Sequence, residues 1–118
     1  MRPEVGAHLW DTVEAARLVH EFASGKTEKE FNSDVLMRSA IERQLEVLGE
    51  ALNRLRRDDP ETAARVPDLE KIAGMRNVIA HEYGSIDYEI VWRATTGVPA
   101  LIPILDELVN EALGAAGL

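Results

Sequence analysis

The sequence predicts an all-α fold: an up-and-down bundle of four to five helices. Three observations predict it. In four long stretches apolar residues recur every three or four positions, the period of a helix with one buried face. No stretch alternates apolar and polar residues as a half-buried strand would. Cap and breaker residues such as Ser24-Gly25, Asp58-Asp59-Pro60 and Gly84-Ser85 separate the stretches, and short connections make successive helices antiparallel neighbours.

Val5, Leu9, Val13, Ala16, Val19 and Ala23 lie at helical spacing, so residues 5–23 form the first helix. Thr27 followed by Glu30 has the form of a capping box, and a short turn there would tuck Phe31 under the first helix. The second long helix runs from Ser33 or Asp34 to Arg57. Its stripe is Met37, Ile41, Leu45, Leu48, Leu52 and Leu55, widened by Ala40, Val47 and Ala51, which makes it the central and most buried helix. Gly49 sits in its interior, where Gly costs about 1 kcal/mol against Ala. Either another backbone approaches closely there, from this chain or a partner, or the glycine is merely tolerated. Charge and Pro60 end this helix, and a connector with one helical turn reaches Pro67.

Asp68 reads as the cap of a third helix, with Leu69, Ile72, Met75 and Ile79 as its buried line and Gly84-Ser85 as its end. Asp87 caps a fourth, which carries Ile90, Val91 and Trp92. Pro99 removes a backbone donor, so a kink or break is expected at 97–99. Helix then resumes to about Leu113, with Pro103 leaving its start open.

The 118 residues make one domain, residues 1–118, and the 46% apolar content suffices for a packed core rather than a disordered chain. There is no cysteine, which removes disulfides and thiolate metal sites and suits a cytoplasmic protein. Met1-Arg2-Pro3-Glu4 lacks the apolar core of a signal peptide, and no apolar run approaches the roughly 18 residues that span a bilayer. The net charge of −8 argues against a general nucleic-acid coat. The charge is uneven, however: residues 38–76 hold eight bases and eight acids, whereas both flanks are acidic. An anion site would therefore be local and built from the middle of the chain.

The segment Arg76-Asn77-Val78-Ile79-Ala80-His81-Glu82-Tyr83 carries the chemistry. On a helix, Asn77 and His81 share a face, and Arg76 and His81 lie about 140° apart, flanking one edge. Arg76 is a permanent cation whose planar fork suits phosphate oxygens. His81, with an ordinary pKa of about 6.5, can move a proton near neutrality, and Asn77 can orient the imidazole or a sugar. RNA supplies its own nucleophile, the 2′-OH, so no metal or other cofactor is required. One imidazole cannot be base and acid at once, so a second copy or a water would share the roles. By spacing alone, an Arg and a His on one helix most often mean a solvated face with local ion pairs.

The wider pattern adds specificity. The blocks Ala40-Ile41-Glu42-Arg43-Gln44-Leu45-Glu46-Val47-Leu48-Gly49-Glu50-Ala51-Leu52-Asn53-Arg54-Leu55, Ile72-Ala73-Gly74-Met75-Arg76-Asn77-Val78-Ile79-Ala80-His81-Glu82-Tyr83 and Ile86-Asp87-Tyr88-Glu89-Ile90-Val91-Trp92 resemble, in that order and spacing, the HepT-like ribonuclease family of the HEPN superfamily of helical bundles. The resemblance implies a homodimer whose two Arg/His motifs meet in one cleft, where RNA is cut without a metal. It implies Arg76 and His81 as the catalytic pair, with Asn77 as the supporting polar position. It further implies a toxin paired with a minimal nucleotidyltransferase antitoxin, and Tyr83 as the tyrosine that this partner modifies with AMP. Added phosphate beside the cleft would repel RNA by charge and volume. The alternative from another class is a non-catalytic helical subunit that presents a nucleotide or substrate within a nucleotidyltransferase complex. Pro103 and the absence of Lys and Arg after Arg93 depart from what a phosphate-binding helical bundle would lead one to expect.

Arg38 and Arg43 are further candidates for phosphate contact. His8 and His20, twelve apart, make no metal pair. Glu42, Glu46 and Glu50 form an i, i+4 ladder bordered by Arg43 and Arg54, read as a solvated or interface face with weak ion pairs. Trp10, Phe22, Phe31 and Trp92 are read as core or dimer contacts. No glycine-rich phosphate loop is present, so ATP hydrolysis by this chain is not expected.

Overall fold

The computed structural model describes residues 1–79 and 86–115, with Ala115 in its backbone alone. Along the chain run α1 (Pro3–Ala23), α2 (Glu28–Ser33), α3 (Val35–Asp58), α4 (Pro60–Ala63), α5 (Leu69–Ala73), α6 (Met75–Ile79), α7 (Tyr88–Gly97), a 3-10 turn (Val98–Leu101) and α8 (Ile102–Ala115). No strand occurs among the described residues. The all-α expectation holds, and the arrangement is that of a HEPN-type bundle. The molecule measures 47 × 30 × 19 Å, and its thin dimension accommodates two layers of helices each about 10 Å across.

The centre is the pair α1 and α3. The start of α1 meets the end of α3, where His8 Nε2 lies 2.7 Å from the Asp58 carboxylate and the Arg2 guanidinium donates to the Asp58 carbonyl. The two helices are therefore antiparallel. On the other flank of α1, α8 also runs antiparallel, with Arg17 reaching Asp106 at 2.5 Å and Gly6 facing Ala112. Leu9, Ala16 and Val19 of α1, Ile41, Leu45, Leu48, Leu52 and Leu55 of α3, and Leu105 and Leu108 of α8 are all essentially fully buried. Each large aliphatic among them contributes about 1.5–3 kcal/mol by leaving water. The stripes read from periodicity are the faces that meet, while Trp10, read as a core or dimer contact, is not part of the core and is 56% exposed.

Local polar chemistry sets the ends of the helices. Gly25 takes φ 75° in the turn after α1, a conformation that L side chains resist. The capping box forms as predicted, with the Glu30 N–H donating to Thr27 Oγ1 at 3.1 Å and the Thr27 N–H to Glu30 Oε1 at 3.2 Å. It delivers Phe31 into the core, where the ring packs edge-on to Tyr88 and against Trp92, centroids 6.3 and 5.2 Å away. Asp34 accepts from the Met37 N–H at 3.0 Å and opens α3. Asp59 accepts from both the N–H and the hydroxyl of Thr62 and opens α4. Asp87 accepts from the Glu89 and Ile90 N–H groups and opens α7.

Two expectations need correction. Asp68 is not a side-chain cap: it lies in the left-handed region at φ 57° and makes no capping hydrogen bond. Its carbonyl still accepts from the Ile72 N–H, so the backbone rather than the carboxylate starts α5. The third helix is also not continuous from there, because its described part breaks at Gly74 into α5 and α6. The Gly74 N–H donates to the Glu70 carbonyl at 2.9 Å, and the Gly74 carbonyl accepts from Asn77 at 3.1 Å and Val78 at 3.4 Å. The interruption therefore leaves no backbone group of Gly74 orphaned. The expected end at Gly84-Ser85 lies outside the described residues. The break at 97–99 is present as the 3-10 turn, and Pro103 falls in the first turn of α8, where the fixed φ of proline suits the helix.

Candidate nucleic-acid site

The place of the site is decided by Gly49. A Cβ on this residue would lie 3.2 Å from the carbonyl oxygens of both Ile72 and Ala73 and 3.5 Å from the Ala73 Cα. Of the two readings left open by the sequence, close approach within the chain is the one observed. The last turn of α5 rests directly on the α3 backbone, so the chain that follows emerges beside the next α3 residue, Glu50. The first turn of α6 then presents Arg76, whose Nη1 lies 3.4 Å from Glu50 Oε1. The Arg76 side chain is 58% exposed and that of Glu50 35%. Met75 and Ile79 on the inner side of α6 are buried, which turns Arg76 and Asn77 outward, both exposed. Arg76 and Asn77 are thus placed together at the surface. His81 and Tyr83, the other two candidates in this segment, lie outside the described residues.

The two candidate phosphate arginines of α3 differ sharply. Arg43 is exposed on the helix surface. Arg38 is engaged by the protein itself. Its Nη1 donates to the carbonyls of Phe31 at 3.2 Å and Asn32 at 2.6 Å, its Nε lies 3.6 Å from Glu42, and its guanidinium covers the Tyr88 ring at 4.4 Å. Arg38 ties the end of α2 to α3 and to the start of α7, and only 12% of its side chain is exposed. The acidic ladder is correspondingly less solvated than its spacing suggested. Glu42 is half-buried, and that burial raises its carboxyl above the usual range, against the pull of Arg38 and with a further push from Glu46.

Comparison with known proteins assigns the chain. Residues 12–108 match the family described as "Ribonuclease HepT-like". The chain belongs to the HepT-like ribonuclease family. Its relatives include the Methanocaldococcus jannaschii protein named "Putative RNase MJ1380", 37% identical over 76% of this chain and 82% of that protein. A second protein of that organism, "Putative RNase MJ0127", is 32% identical over 96% of this chain and 93% of its own length. "Probable ribonuclease HepT" of Thermococcus cleftensis is 30% identical over 80% and 86% respectively. No solved structure matches significantly. Among the described residues no helix is long and apolar enough to cross a membrane.

Two features of this HepT-like protein escaped sequence reasoning. Glu50 was visible as a rung of the ladder, but its pairing with Arg76, 26 positions away, depends on the contact of α5 with Gly49. The only signal for it was a glycine in a helix otherwise built of strong helix formers. His8, which its spacing from His20 marks only as no metal ligand, pairs with Asp58 and joins α1 to α3. The hydrogen bond from His8 is the main reason that the Asp58 carboxyl titrates below its usual range.

Proposed function

We propose that this chain is a metal-independent endoribonuclease toxin, paired with a minimal nucleotidyltransferase antitoxin, cutting RNA with Arg76 and His81. The observation that carries the reading is the exposed Arg76 guanidinium, held at the start of α6 with Asn77 beside it and followed in sequence by His81 and Tyr83. The contact with Glu50 involves Nη1, which leaves the Nε–Nη2 edge of the fork for two parallel bonds to a phosphate.

The chemistry follows from those groups. The RNA 2′-oxygen attacks the adjacent phosphorus and the bond to the 5′-oxygen breaks, leaving a 2′,3′-cyclic phosphate and a free 5′-hydroxyl. A neutral imidazole takes the 2′-proton and a protonated one supplies a proton to the leaving oxygen. A homodimer provides two copies of His81 for these two roles. Arg76 stabilises the charge that develops on the non-bridging oxygens, and Asn77 supports the imidazole or the ribose. In this reading the exposed Arg43 meets a neighbouring phosphate, whereas Arg38 would have to leave Phe31, Asn32 and Tyr88 to do so. Transfer of AMP to Tyr83 would silence the cleft by adding negative charge and bulk. Such a protein acts in the cytoplasm.

The test is cleavage of purified RNA in EDTA. The wild type should cut, and His81→Ala and Arg76→Ala should each lose at least about a hundredfold while keeping the helical spectrum and melting point. A substrate with 2′-deoxyribose at the cut site should resist. Equal cleavage by wild type and both variants, or a requirement for added metal, would refute the assignment. Intact mass after co-expression with a minimal nucleotidyltransferase should reveal AMP units that Tyr83→Phe abolishes.

A further inference from the structure

We infer that Glu50 is a positioning residue for Arg76: it holds the guanidinium in one orientation so that the free edge of the fork faces the scissile phosphate. This rests on the reading of Arg76 as the phosphate-gripping cation. Three observations favour it over an incidental surface pair.

The first is that the contact is built into the packing. Gly49 allows the α5 carbonyls to lie against α3, and Glu50 and Arg76 are the outward residues on either side of that junction. The second is the choice of partner. Arg54 lies four residues after Glu50 on the same helix, the spacing and order at which Glu and Arg ordinarily pair. Arg54 is exposed, yet among the described residues the ion pair that Glu50 makes is across to α6, with Arg76. The third is the geometry of the contact. A single carboxylate oxygen meets a single terminal nitrogen at 3.4 Å. A bidentate pair would consume the fork, whereas this one restrains the side chain and leaves donors for a ligand.

The physical consequence is a division of labour. An unrestrained arginine must lose rotamer freedom when it grips a phosphate; one already held has lost part of that freedom before RNA arrives, which favours the reaction through orientation. The same carboxylate repels an RNA phosphate, so it opposes ground-state binding slightly. Removing Glu50 should therefore lower kcat and leave KM unchanged or lower, the reverse of what loss of a simple binding residue would do.

The experiment compares the full-length wild type with Glu50→Ala and Glu50→Gln, using a defined RNA oligonucleotide in EDTA and measuring kcat and KM separately alongside the melting curve. Glu50→Ala should lose about tenfold in kcat without a rise in KM. Glu50→Gln, which keeps an acceptor oxygen at the same reach, should stay within about threefold of wild type. If Glu50→Ala is too unstable to assay, Glu50→Ser, whose hydroxyl is too short to reach Arg76, carries the test, and a kcat equal to wild type in that variant overturns the inference. An active wild type with an unchanged kcat in Glu50→Ala, or with its whole loss in KM, overturns the role of Glu50 alone. A wild type that does not cut RNA overturns the nuclease reading and this inference with it.

Discussion

Gly49→Ala isolates the junction on which the proposed site depends. In the interior of α3 the substitution should help, because Ala exceeds Gly in helix propensity by about 1 kcal/mol. The new Cβ, however, would stand 3.2 Å from two carbonyl oxygens and 3.5 Å from a backbone carbon of α5. Those neighbours are main chain, so no rotamer change relieves the crowding, and α5 as a whole must retreat by a few tenths of an ångström. Ile72, Ala73 and Met75 hold it in place, at 4%, 6% and 6% exposure. Overpacking of this kind costs about 1–3 kcal/mol, so the net effect should be a loss of about 1 kcal/mol and a fall of about 4 °C in Tm. Gly97→Ala is the control. Its Cβ would meet nothing within 4 Å and its φ is −82°, so it should gain about 0.5–1 kcal/mol. Thermal and urea unfolding followed by circular dichroism measure both. The two variants should move in opposite directions, and RNA cleavage should fall in Gly49→Ala alone, because α6 moves with α5. A Gly49→Ala protein that melts at or above the wild-type temperature would refute the argument.

Two predictions concern pH. Burial raises the Glu42 carboxyl above its ordinary 4.5, so the fold favours the protonated form, and that contribution is lost as pH rises through the raised value. Glu42→Gln should match the wild type near pH 4 and melt slightly higher at pH 7; a lower melting point at pH 7 would show that the pair with Arg38 outweighs the burial. The Asp58 carboxyl is depressed below its ordinary 3.8, chiefly by the His8 hydrogen bond. Its contribution is present above pH 3.8 and lost as pH falls through the depressed value. Asp58→Asn should melt below the wild type at pH 7, with the gap closing as the solution is acidified beneath pH 3.8. A gap independent of pH would remove the carboxylate from the account.

Much of the helical architecture was legible because its signals are local. A stripe such as Ile41, Leu45, Leu48, Leu52 states which face of α3 must leave water, whatever covers it. Thr27 with Glu30, Asp34 and Asp87 place helix starts by bonding to N–H groups two or three residues away, and Pro99 ends a helix by lacking a donor. Asp68 misled for a related reason: a residue type that caps helices also tolerates the left-handed region, and the sequence does not distinguish the two uses. The break at Gly74 was hidden because its flanking apolar residues keep a single helical period across it.

The chain alone thus specified an all-α bundle, the boundaries of most helices and the candidate segment from Arg76 to Tyr83, since each depends on residue type and short-range spacing. The tertiary structure decided which neighbours those residues acquire. Only packing reveals that Gly49 seats the end of α5, that Arg76 leans on Glu50 rather than leaving it to Arg54, and that Arg38 is held by Phe31, Asn32 and Tyr88. These contacts join positions far apart in sequence, and their electrostatics depend on burial and distance, which no local pattern encodes.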